Sequence, residues 1–184
     1  MKKWILILLA IVVVGGGVLV YQTRSGNAEA LAIGATAPAF TTTGALAGEE
    51  FEFSLADKLK DGPVVLYFFP KVFTEGCTIE ANMFAEATAE FAAAGATVIG
   101  MSGDDIEGLK KFSVSECRDK FAVARADEQI IDDYKVRMAP GVAMTSRTSY
   151  VIDQQGKIVF VHSAKQPQGH VSGTLAKVKA LAKS

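Results

Sequence analysis

Cysteine is scarce: Cys77 and Cys117 are the only two among 184 residues. That is too few for a disulfide-stapled mini-protein and enough for one reactive pair. Histidine is just as scarce. His162 and His170 alone seldom make a metal site and read as structural or exposed, so neither a metal nor another cofactor is expected. No sign of charge dominates either. The chain carries a formal net charge of −1, and after residue 30 sixteen Lys and Arg face nineteen Asp and Glu, so no basic field points to nucleic acid. Internal repeats and low-complexity tracts are absent from the sequence. The length suits one ordinary domain with an extension and excludes two full domains.

Long hydrophobic runs are also absent, with one exception at the amino terminus. Trp4 to Tyr21 is apolar, interrupted only by Gly15-Gly16-Gly17, and follows Lys2 and Lys3. Eighteen residues at helical rise cover about 27 Å, near the hydrocarbon thickness of a bilayer. This exceeds a signal-peptide core and reads as a retained membrane anchor; Ala28-Glu29-Ala30 offers a small-x-small site for the alternative, a cleaved signal. Lysines ahead of the span predict that the following domain faces the far side of the membrane, the periplasm in a bacterium. That compartment is oxidising, and two cysteines there pair or cycle. Residues 1–30 are therefore expected to be anchor or signal plus linker, and residues 31–184 the folded domain, beginning near Leu31 to Pro38.

Within that domain, hydrophobic period switches repeatedly between strand and helix. Phe51-Glu52-Phe53 alternates like an edge strand, and Val64 to Phe69 is an apolar run of strand length after the turn signal Asp61-Gly62-Pro63. Cys77 to Ala94 carries Ile79, Met83, Phe84, Ala87 and Phe91 at helical spacing, and Gly95 stops it. A strand at Thr97 to Met101, a helix at Asp104 to Cys117, a strand at Phe121 to Ala124 and a helix at Glu128 to Val136 follow. Tyr150-Val151-Ile152 and Lys157 to His162 flank Asp153-Gln154-Gln155-Gly156 as a hairpin, and Val171 to Ala182 closes the chain as a helix. The alternation predicts an α/β fold with a mixed central sheet flanked by helices.

The segment richest in chemistry joins the first buried strand to its helix: Pro70-Lys71-Val72-Phe73-Thr74-Glu75-Gly76-Cys77. It puts Cys77 at a helix N-terminus, where unpaired backbone N–H groups favour the thiolate and make it nucleophilic. Pro70, Thr74 and Cys77 match the Pro-x-x-x-Thr-x-x-Cys motif of peroxiredoxins, thiol peroxidases built on a thioredoxin fold. The domain from about Ala32 to Ala182 resembles that family, closest to its Q-type (bacterioferritin-comigratory-protein-like) branch. Gly76-Cys77-Thr78-Ile79-Glu80-Ala81 is similar to the branch's peroxidatic loop, and Thr145 to Asp153 to its arginine strand.

The resemblance implies a thioredoxin-like fold and assigns roles. Cys77 would attack a hydroperoxide and become a sulfenic acid. Thr74 would take a hydrogen bond from the peroxide and donate toward the sulfur, and Pro70 would shield the thiolate. Arg147 would stabilise thiolate and developing alkoxide, with Glu80 either orienting it or standing solvated on the helix. Partners would be the hydroperoxide and a thioredoxin-like or other thiol reductant. Many relatives carry a resolving cysteine five residues after the first, where Asn82 stands here. Others carry it in the helix after the next strand, the region of Cys117, which is therefore expected either to resolve Cys77 as an intramolecular disulfide or to be an inert buried thiol. Val72-Phe73 replaces residues that are often acidic in relatives, giving an apolar mouth suited to organic hydroperoxides or to packing against a partner. Two rival functions lack a residue. Thiol–disulfide exchange needs Cys-x-x-Cys, but Glu80 occupies the second position; a copper chaperone pairing two cysteines with His162 meets Ala81 at its second sulfur position.

Overall fold

The computed structural model describes residues 11–14, 17–20 and 30–183. Of the amino-terminal apolar run, only Ile11–Val14 (β1) and Gly17–Val20 (β2) are described. They pair antiparallel, Ile11 opposite Val20 and Val14 opposite Gly17, instead of continuing the expected helix. Ile and Val are β-branched, which favours extended pairing wherever lipid does not impose a helix. No helix among the described residues is long and apolar enough to cross a membrane. The proposed cleavage site and most of the linker lie outside the described residues.

The rest folds around a mixed sheet of seven strands. In chain order these are β3 (Thr41–Leu46), β4 (Glu49–Ser54), β5 (Val64–Phe68), β6 (Thr97–Ser102), β7 (Ala122–Arg125), β8 (Thr148–Ile152) and β9 (Ile158–Ser163). Spatially they run β4-β3-β7-β6-β5-β8-β9. β5 pairs parallel with β6 and antiparallel with β8, placing Phe68 opposite Thr148. The helices are α1 (Leu55–Asp61), α2 (Glu75–Ala93), α3 (Ile106–Ser115), α4 (Glu128–Asp133) and α5 (Gln168–Leu181). This is the α/β, thioredoxin-like arrangement expected, with two elements added. β3 reads Thr-Thr-Thr-Gly-Ala-Leu and shows no clean apolar alternation. α1 is a seven-residue helix whose Ser54 cap accepts a bond from Asp57 N–H, so a Ser-x-x-Asp start signal announced it.

β5 lies inside the sheet, between β6 and β8, because Val64 to Phe68 are all buried, and alternate side chains feed opposite cores. Val65, Tyr67 and Phe69 join the cluster under α2, α3 and α5; Val64, Leu66 and Phe68 join that under α1 and α4. On the first face Tyr67 stacks on Phe84 of α2 at 4.3 Å between ring centroids, and Phe69 stacks on Phe112 of α3 at 5.3 Å. These rings fix the depth and rotation of α2, the helix that opens with Cys77.

Gly100 on β6 lies directly across from Tyr67. A Cβ there would meet the Tyr67 ring and hydroxyl at 2.8 Å, and the stacked ring has nowhere to go. Gly100→Ala is expected to cost about 1–3 kcal/mol through overpacking, read as a lowered urea midpoint with unchanged slope.

Candidate active site

Pro70, with no N–H to give, ends β5. The loop after it is tied to β6: Val72 N–H donates to Asp104 Oδ2 at 2.8 Å, and Ser102 Oγ donates to the same oxygen at 2.6 Å. Lys71 is exposed and Pro70 half-buried. Phe73 is 51% exposed and takes φ 59°, a conformation a bulky side chain adopts only under constraint; its ring stands edge-on to Phe112 at 5.4 Å. Thr74 caps α2 with its backbone, its carbonyl accepting from Cys77 N–H at 3.0 Å and Thr78 N–H at 2.9 Å. Its hydroxyl donates to Lys71 O at 3.1 Å. Cys77 therefore occupies the first turn of α2, only 1% exposed, where the helix dipole favours negative charge.

Arg147 comes from just before β8. It shares strand parity with Ser149 and Val151, so it turns toward the α2 face. Its approach is fixed by Thr145 Oγ1, which donates to Phe69 O at 2.7 Å, and by Ser146 N–H, which donates to Val136 O at 2.6 Å. All three guanidinium nitrogens are engaged: Nε with Lys165 O at 3.1 Å, Nη2 with Cys77 Sγ at 3.5 Å, and Nη1 with Glu80 Oε2. The planar fork thus binds sulfur and carboxyl at once. Gly76 leaves room for it, since a Cβ there would lie 3.0 Å from Nη2.

Glu80 is wholly buried, one turn beyond Cys77. Burial pushes its carboxyl up to about 8, with Arg147 opposing the rise. Its Oε1 faces His170 Nδ1 at 3.9 Å. His170, on α5, is buried as well; Ser149 Oγ lies 2.9 Å from Nδ1 and Ala164 O lies 3.0 Å from Nε2. Burial pushes this imidazole down to about 4, and it meets the His162 ring edge-to-face at 4.6 Å.

Residues 33–161 match the AhpC/TSA family. The chain belongs to the peroxiredoxins. It is 32% identical over 149 residues to the chloroplastic peroxiredoxin Q of Suaeda salsa, covering 80% of this chain and 68% of that one. It is 30% identical over 151 residues to the putative peroxiredoxin bcp of Coxiella burnetii, covering 79% of this chain and 97% of the relative. Among solved structures, peroxidoxin BcpB of Mycobacterium tuberculosis superposes with a TM-score of 0.73 at 31% identity, over 81% of this chain and 97% of that one.

In this peroxiredoxin Cys77, Arg147 and Glu80 meet, with Thr74 and Pro70 on the loop beside them. Cys117 stands apart. The expected helix stops at Ser115, leaving Cys117 just beyond it with its N–H on Phe112 O at 3.0 Å. Both thiols are free and buried in the same apolar cluster. Burial pushes the Cys117 thiol far up, with Glu116 and Asp119 adding to the rise. Arg118 and Asp119 both have positive φ, 53° and 56°, so backbone strain adjoins the thiol. Two residues of this site were not singled out as functional from the sequence. His170 was expected to be structural or exposed, and Tyr67 was read only as part of a strand. Tyr67 OH is buried without a hydrogen-bond partner, and burial holds its phenol well above the ordinary range, followed by the nearby Cys117, Glu80 and Cys77.

Three outcomes are expected. Cys117 should resist iodoacetamide at pH 8 in the folded reduced protein and react once urea unfolds it, as peptide mass spectrometry would record. Gly76→Ala should push Arg147 off Cys77 and slow peroxide turnover without changing the unfolding free energy from urea titration by more than the glycine-to-alanine helix term of about 1 kcal/mol. The third concerns acid. Because His170 is depressed in the folded state, its stabilising share is fully present above the ordinary value near 6.5 and is lost as pH falls to about 4. Thermal midpoints between pH 7 and 4 should therefore decline less in His170→Gln than in the parent.

Proposed function

We propose that this chain reduces hydrogen peroxide or alkyl hydroperoxides through Cys77, with no prosthetic group. The observation that carries this reading is the Arg147 guanidinium held on Cys77 Sγ at the first turn of a helix, in a chain of the peroxiredoxin family. The Cys77 thiolate attacks the terminal peroxide oxygen, forming an S–O bond as the O–O bond breaks, and the departing hydroxide or alkoxide takes up a proton. Arg147 carries positive charge at the point where the negative charge passes from sulfur to oxygen. Thr74 Oγ1 leaves its Lys71 contact to serve the peroxide, and Pro70 screens the sulfur from water. The product is a sulfenic acid on Cys77.

Cys117 resolves it. Its thiol attacks the sulfenic sulfur, water leaves, and a Cys77–Cys117 disulfide remains for a thioredoxin-like or other dithiol to reduce. Support comes from what borders each thiol. The first turn of α2 hangs on the Thr74 carbonyl, and Cys117 adjoins two left-handed residues whose relaxation repays about 1 kcal/mol or more apiece. Longer-range ties are weak: Asn82 reaches Glu116 at 3.5 Å, and Arg118 reaches Glu86 at 3.5 Å. The exposed Phe73 ring and half-buried Val72 favour alkyl hydroperoxides at the mouth. The amino-terminal apolar run behind Lys2 and Lys3 supports tethering to an inner membrane, the domain facing the periplasm; release of the full chain by carbonate washing would refute it.

The decisive experiment is mass spectrometry of the reduced protein before and after one equivalent of hydrogen peroxide. A Cys77–Cys117 cross-linked peptide is expected; an unmodified Cys77 would end the assignment. Cys77→Ser should consume no peroxide. Cys117→Ser should be oxidised once and form no internal disulfide. Arg147→Ala should lower the second-order rate about 10²–10³-fold, as loss of a charge-stabilising donor does.

A further inference from the structure

The reaction as written leaves one buried acid unused. Glu80 gives Oε2 to Arg147, while Oε1 is enclosed and has no hydrogen-bond partner. The polar atom facing it is His170 Nδ1, at 3.9 Å. Which nitrogen of that ring carries hydrogen follows from its other contact. Nε2 lies 3.0 Å from the Ala164 carbonyl oxygen, an atom that only accepts, so Nε2 holds the hydrogen and Nδ1 presents its lone pair. Ser149 Oγ, 2.9 Å from Nδ1, is then the donor in that bond. A lone pair on Nδ1 and an ionised Oε1 would repel across the 3.9 Å between them. A proton on Oε1 turns the same arrangement into an attraction toward a lone pair that the Ser149 hydroxyl already engages.

Charge balance leads to the same place. The titratable groups facing this cluster are Cys77 and Glu80 from α2, Arg147 from before β8, Tyr67 from β5, His162 from β9 and His170 from α5. Lys165 contributes only its backbone carbonyl. One guanidinium cannot neutralise both a thiolate and a carboxylate; with both ionised the buried cluster would carry an uncompensated negative charge, which is costly in a dry interior. The elevated Glu80 and depressed His170 fit a single proton resting on the carboxyl.

We propose that Glu80 is protonated at neutral pH, its Oε1–H turned to the His170 ring, so that the whole charge of Arg147 serves the Cys77 thiolate. His170 is thus a positioning residue that acts through Glu80 and never touches substrate. The consequence for turnover rests on the peroxidase reading; the proton itself does not. When Glu80 ionises it competes for Arg147, and attack on peroxide slows.

Infrared spectroscopy of the reduced full-length protein tests this without peroxide. At pH 7 a protonated-carboxyl C=O stretch is expected that Glu80→Gln removes, and the band should disappear as pH rises past about 8. In His170→Leu it should move to higher wavenumber, because the lone pair that Oε1–H faces is gone. Single-turnover peroxide consumption should decline above the same pH in the parent and stay level in Glu80→Gln. A spectrum at pH 7 with no band sensitive to Glu80→Gln would overturn the proposal, and this readout on the parent needs no variant to be active. A band unmoved in His170→Leu would remove His170 from it. Absent peroxide consumption with the band intact would instead count against the peroxidase reading alone.

Discussion

The grip of Arg147 on Cys77 and Glu80 is the contact on which the site depends. A cysteine that is 1% exposed is ordinarily an inert small hydrophobe. Here a fixed guanidinium and the positive end of α2 meet at the sulfur. The same guanidinium closes on the Lys165 carbonyl, so it ties the first turn of α2 to the turn before α5. Loosening any one of those bonds frees the fork to rotate, and the charge then no longer points at the sulfur.

The sheet exists, in functional terms, to make that meeting possible. Cys77 follows β5 and Arg147 precedes β8, and the two strands are antiparallel neighbours. The end of one and the start of the other therefore fall at the same edge of the sheet. Tyr67 and Phe69 set the helices above that edge through aromatic stacking, and Gly100 yields the space that Tyr67 requires. Packing, rather than hydrogen bonding, decides how deep α2 sits.

Much of this was legible in the chain. The apolar run Val64 to Phe69 and the helical spacing after Cys77 are strong periodic signals, and the resemblance to peroxiredoxins rests on residues in order along the sequence. β3 was missed because its threonines do not alternate, and it is held by its neighbours β4 and β7. The end of α3 was placed too late, because Glu116 and Cys117 continue its amphipathic pattern while the backbone turns left-handed at Arg118 and Asp119. His170 was illegible for a different reason. Nothing near it in sequence hints at Glu80, 90 positions earlier; only the packing of α5 on α2 joins them. The carboxyl at Glu80 was visible, but its loss of water was not.

The ladder between β5 and β8 has one more implication. Phe68 and Thr148, directly paired, act as a common mounting for the two halves of the chemistry. The stretch of chain between them is topologically a loop thrown out from that mounting and brought back. The turn around Pro140 and Gly141 is bracketed by the Ser146 to Val136 bond that aims Arg147, so a change of its length reaches the charge that faces the sulfur. One register therefore sets both where the sulfur stands and where its counter-charge arrives, and a slip of the ladder would part them.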